Sequence, residues 1–134
     1  MKRNILLFSI IFSTLICFAV GSESDVMIKT DDGVYIVNTT ALCDVRGFRG
    51  ATPVEVYIKK DKVIKVIALK NEESPGYFVK VKNFLLPIFE NLKLSTAKKA
   101  ASQKSVDGCT GATYSTKAVQ NNIAVALDYY ETHK

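Results

Sequence analysis

The densest run of potential chemistry is Asp107-Gly108-Cys109-Thr110-Gly111-Ala112-Thr113-Tyr114-Ser115-Thr116. Thr110, Thr113, Ser115 and Thr116 supply hydroxyls, and Gly108 and Gly111 let a bulky group approach the backbone closely. An amphipathic pattern follows at once, with Val119, Ile123, Ala126 and Tyr130 at helical spacing. Free N–H groups at a helix start, with the positive end of the helix dipole, make a natural phosphate seat. Ordinary capping fits the same letters, with Thr110 or Thr113 as N-cap and the glycines serving the turn. On spacing alone capping is the more economical reading, because short Gly/Thr loops are common before helices.

Little else in the chain suggests chemistry. His133 is the only histidine and sits beside the C-terminal Lys134, where a surface histidine suits a helix end. No Ser/His/Asp arrangement, zinc motif or paired-carboxylate site can be assembled, so no metal is expected. Cys43 and Cys109 are too few to hold a zinc ion or an iron–sulfur cluster alone. In an oxidising compartment they could pair, which would add about 4 kcal/mol in the chain-entropy model. Two unconnected small residues, one in a strand and one in a loop, remain the alternative.

The elements that must position the loop come first in the chain. Val26 to Lys29 and Val34 to Val37 are β-prone runs joined through Asp31-Asp32-Gly33, a hairpin cue. In Val54 to Ile58 the small aliphatics alternate onto one face, Lys60-Asp61 turns, and Val63 to Leu69 returns. Gly47 to Pro53 and Asn71 to Gly76 read as loops. Phe78, Val81, Leu85, Ile88 and Leu92 then form one helical stripe, which Pro87 should kink or divide. Leu94 to Gln103 predicts a short surface helix with Lys98 and Lys99 on a solvated face. The last helix is predicted from near Thr113 towards Glu131. Strands precede helices, so the fold class expected is α+β: a small, mostly antiparallel sheet of two hairpins with helices packed on it.

The N-terminus has a different character. Lys2 and Arg3 precede an apolar run from Ile5 to Val20, and Ala19-Val20-Gly21 offers small residues for a signal peptidase. Residues 1–21 are therefore expected to be a secretory signal and 22–134 the working domain. An uncleaved anchor is the alternative, although the run is shorter than the ~20 residues of a spanning helix. A lipoprotein site at Cys17 is disfavoured by bulky Ile16. Loss of Lys2 and Arg3 takes the formal charge from +5 to +3. That charge is spread along the chain with no basic block, which disfavours nucleic acid as a partner.

Asp107 to Thr113 resembles the site at which a flavin transferase attaches FMN: an Asp, variable residues, Ser or Thr, then Gly-Ala-Thr. From about Gly47 onward the chain resembles the FMN-binding domain of the C subunit of sodium-translocating NADH:quinone reductase, of the G subunit of the Rnf complex, and of small exported flavoproteins. Gly50-Ala51-Thr52-Pro53-Val54-Glu55-Val56 is similar to that domain's glycine-to-strand lead-in. Lys62 to Val66 and Glu73-Ser74-Pro75-Gly76-Tyr77 are similar to its second strand and Glu-Thr-Pro-Gly loop. The departures are Cys109-Thr110, where an aliphatic residue and Ser are usual, and Ser74 in place of Thr.

The resemblance implies FMN esterified through its phosphate to Thr113, installed by a flavin transferase that recognises Asp107. It implies a cofactor site formed by Thr110, Gly111, Ala112, Tyr114, Ser115, Gly50, Glu73, Ser74, Pro75 and Gly76. Phe48, Tyr77 and Tyr114 become candidates to stack on the flavin ring, with core packing as the ordinary use of each. The Gly47–Gly50 and Glu73–Tyr77 loops become candidates to flank the ring and phosphoribityl chain, with their backbone N–H groups, or Arg49, to meet the ring oxygens. The implied function is electron transfer outside the cytoplasm or on the outer face of its membrane, with a redox partner or membrane electron-transport complex. Direct reduction of a small or quinone acceptor, and a non-redox module with a vestigial motif, are the alternatives.

Overall fold

The computed structural model describes residues 26–134, so the expected signal at 1–21, with Cys17, lies outside the described residues. Both hairpins form where turn chemistry and alternation place them. Strands β1 (Met27–Lys29) and β2 (Tyr35–Asn38) flank a turn in which Gly33 adopts φ +87°. Strands β3 (Val54–Lys59) and β4 (Lys62–Ala68) are joined by Lys60 and Asp61, both left-handed at φ 53° and 58°. Two consecutive left-handed residues match the twist of the flanking strands. Neither is glycine or asparagine, and the strain is offset by anchoring: Asp61 accepts the Tyr130 hydroxyl at 2.6 Å and the Lys134 ammonium at 2.9 Å.

Pairing of β2 with β3 merges the hairpins into one antiparallel sheet of order β1-β2-β3-β4. Val54, Val56 and Ile58 are fully buried on one face, together with Val37 and Val63. Helices cover that face alone. The longest, α3 (Thr113–His133), lays Val119, Ile123, Ala126 and Tyr130 against the sheet, all fully or almost fully buried. The class is α+β, as the element order implied.

One stripe departs from its sequence pattern. Helix α1 (Pro75–Lys80) runs into a π-helical turn, Val81–Leu85, and then a 3-10 turn, Leu86–Phe89. Phe78, Val81 and Leu85 point inward as expected, but Ile88 is 38% exposed while Phe89 is completely buried. Pro87 is the cause. Its ring lacks an N–H and crowds the carbonyl four residues back, so the chain widens before it, and the inward position slips by one residue.

Helix α2 (Leu94–Ala101) buries Leu94, Ala97, Ala100 and Ala101. Lys98 is not simply solvated, as the sequence suggested. It pairs with Asp128, at 3.1 Å, and with Glu131 on α3. Among the described residues, no helix is long and apolar enough to cross a membrane.

Candidate functional site

The site is organised by a buried acid. Glu73, 5% exposed, follows β4 and accepts three backbone N–H groups: Phe48 at 2.7 Å, Arg49 at 2.6 Å and Gly50 at 3.2 Å. The Ser115 hydroxyl on α3 donates to the same carboxylate. Burial alone would raise the Glu73 pKa. The hydroxyl of Ser115 and the N–H groups of Arg49, Phe48 and Gly50 outweigh it and hold the acid below its ordinary value, so it stays ionised. Gly47 is required for this approach, because a Cβ there would overlap Glu73 Oε1. The 47–50 loop, the start of α1 and the start of α3 thus converge on one charge.

Those bonds bear on the expected ring contacts of one of the two loops. The N–H groups of Phe48, Arg49 and Gly50 are spent on Glu73, and that of Gly47 donates to Gly50 O at 2.7 Å. The loop therefore has no backbone donors of its own to offer a flavin ring. It brings Phe48 to the wall of a cleft.

The start of α3 is open. Ala112 occupies the N-cap position and no side chain caps the helix, so neither Thr110 nor Thr113 does what ordinary capping requires. The first helical bond is Thr116 N–H to Ala112 O at 2.9 Å, leaving the N–H groups of Thr113, Tyr114 and Ser115 as free ends of the helix. Thr113 itself is exposed. Gly111, at φ +87°, turns the loop into the helix. Lys80, at the end of α1, donates to Thr110 O at 2.6 Å and fixes the loop from the other side.

Two clefts flank this loop and share Gly111 as a wall. The first, of about 210 Å³, is lined by Phe48, Ser74, Tyr77, Ala112, Tyr114 and Ser115. Core packing is not the role of its aromatics. Phe48 is 71%, Tyr77 53% and Tyr114 68% exposed, and the Phe48 and Tyr114 rings lie 6.2 Å apart. The second cleft contains Thr110 and Thr113, with Lys104, Thr116 and Lys117.

Most of the expected site residues gather here, but not all. Glu73 and Gly50 act behind the aromatic cleft rather than in it, and Pro75 faces a separate groove with Glu73 and Lys82. Gly76 lies exposed in the first turn of α1, next to Tyr77. Asp107 is exposed in the preceding turn and lines neither cleft. Arg49 is exposed on its loop.

Of the two arrangements open to the cysteines, the structure has the unconnected one. Cys43 and Cys109 are both free. Cys109 is 5% exposed, with Sγ 3.7 Å from Lys80 O, while Cys43 donates its N–H to Thr39 O in the loop after β2. Each belongs to a different local structure.

Two participants escaped the sequence reading. Lys80 looked like any surface lysine, and its only sequence signal is its place one turn after the Pro-Gly loop. Phe84 covers Gly108, which has φ +89° and no room for a Cβ beneath that ring.

The model of the FMN-binding domain matches residues 47–128, from the Glu73-bound loop to Asp128 near the end of α3. Strands β1 and β2 precede the matched span yet belong to the same sheet. Comparisons with curated proteins and with solved structures find no match. The geometry fits the cofactor this family takes: aromatic faces for a ring, and an uncapped helix start for a phosphate. The chain belongs to the FMN-binding domain family and is a flavin-binding protein.

Proposed function

We propose that Thr113 carries FMN as a phosphodiester and that the protein is an exported electron carrier. The observation that carries this reading is the bare start of α3, where Ala112 stands at the N-cap with no side-chain cap and Thr113 is exposed beside it. In a covalent loading step, the Thr113 hydroxyl oxygen displaces AMP from the FMN phosphorus of FAD held by a flavin transferase. The P–O bond to Thr113 forms, the pyrophosphate bond breaks, and the hydroxyl proton goes to a base of that enzyme. The product keeps one negative charge, which the helix dipole favours at this position. Thr110 is exposed too, but its carbonyl is held by Lys80 and it lies outside the helix.

Bound FMN supplies the electron transfer itself. The chain supplies position. Phe48, Tyr77 and Tyr114 offer faces to the ring, and Glu73 holds the Phe48 loop against α3. A cleft of about 210 Å³ is smaller than the ~300–1,000 Å³ that encloses a typical ligand, so much of the ring would stay accessible. Accessibility suits exchange with a redox partner protein or a membrane complex. A covalent tether suits an exported chain, because a cofactor lost outside the cytoplasm is not readily replaced.

The test is to produce the chain with a flavin transferase, denature it, and look for flavin fluorescence moving with the polypeptide on a gel. Fluorescence that survives denaturation is expected. Colourless protein from cells with an active transferase would remove the covalent reading.

A further inference from the structure

We propose that Thr116, Lys104 and Lys117 form a phosphate seat beside Thr113, on the far side of the attachment loop from the aromatic cleft. Among the described residues, Thr116 Oγ1 is the one buried side-chain polar atom without a hydrogen-bond partner. Thr116 is 5% exposed, and a buried hydroxyl is seldom left unsatisfied. The residue lines the second cleft, about 230 Å³ in volume, together with Thr113.

The surroundings select an anion. Thr113, Thr116 and Lys117 fall at i, i+3 and i+4, so they share one face of α3 at its positive end. Lys104 comes to the same cleft from the loop after α2. No carboxylate lines it, and neither lysine is in any ion pair among the described residues. The Thr116 Oγ1 atom is itself buried, so meeting an oxygen in the cleft calls for a change of χ1, and Thr has two accessible χ1 wells in a helix. Two ammonium groups, a hydroxyl donor and a helix start suit a phosphate oxygen better than a neutral ligand. Assigning that phosphate to the tether on Thr113 rests on the function proposed above.

The probe is inorganic phosphate, titrated at constant ionic strength into protein made without a flavin transferase and followed by amide NMR. Saturable shifts are expected at Thr113, Thr116 and Lys117. Thr116→Val should weaken binding about tenfold, because the lost donor faces a charge, and Thr116→Ser should restore it. Lys104→Gln and Lys117→Gln should each weaken it about threefold. Shifts that never saturate, or that ignore Thr116→Val in a variant whose remaining spectrum is native, overturn the seat. In protein loaded with FMN, phosphate should no longer move these amides. Continued binding there overturns the assignment to the tether. A chain that refuses FMN yet titrates normally sinks the covalent reading and leaves the anion seat standing.

Discussion

The Ser115 hydroxyl donates to the Glu73 carboxylate, tying the first turn of α3 to the segment that leads into α1. Around that bond the acid also collects three N–H groups from the loop carrying Phe48. Replacing Glu73 with Ala strands four donors at once, and a loss of about 3 kcal/mol is expected in urea unfolding. Ser115→Ala removes a single donor and should cost about 1 kcal/mol. Equal losses would show that the acid is not the organiser.

The same acid sets a pH dependence. Its folded pKa lies below the ordinary 4.5, so the unfolded chain binds this proton more readily than the folded one. Its stabilisation is therefore complete above about pH 4.5 and is lost as pH falls through the lower folded value. Unfolding free energy measured from pH 6 downward should fall less steeply in Glu73→Gln than in the parent. Identical slopes would assign acid sensitivity to other groups.

Two neighbouring glycines should behave in opposite ways. A Cβ at Gly47 would overlap Glu73 Oε1, so Gly47→Ala should cost more than about 2 kcal/mol. At Gly50 the nearest atoms to a new Cβ are Arg46 Nη2 at 3.7 Å and Glu72 Cβ at 4.0 Å, and Gly50→Ala should stay within about 0.5 kcal/mol. Thermal unfolding of the pair checks both.

Lys80 should matter for loading more than for folding. Lys80→Met keeps the aliphatic stem but loses the bond to Thr110 O, which fixes the attachment loop. Transferase kcat/KM on this variant should drop several-fold, while stability changes by less than about 1 kcal/mol. Tyr130→Phe is the converse. Burial first, and then the Asp61 carboxylate, push the Tyr130 pKa up to about 12, so its hydroxyl donates throughout the usual range. Losing it should cost about 1 kcal/mol. Loading at Thr113, roughly 25 Å away along the helix, should be unaffected.

Legibility followed the range of the forces involved. Val54, Val56 and Ile58 announced their face because a strand alternates with a fixed period, and Val119 to Tyr130 did so at helical spacing. Ile88 misled because Pro87 changes the turn width ahead of it, which no constant period captures. In the site, the Gly-Ala-Thr run was visible as a motif. The Glu73 clamp was not, since its donors lie 23 to 25 residues away from it, and Ser115 lies 42 away. Gly47 and Gly50 look alike in the sequence for the same reason: only the folded chain shows which glycine meets the acid. Capping by Thr110 or Thr113 was reasonable from composition, and the backbone of Ala112 excludes it.

Peptide-resolved mass spectrometry on the chain produced with a flavin transferase tests the central claim most directly. The peptide bearing Thr113 should be heavier by one FMN less one water, and Thr113→Val should abolish the gain while Thr110→Val preserves it. An unmodified peptide, or an addition that survives Thr113→Val, would contradict the tether at the start of α3.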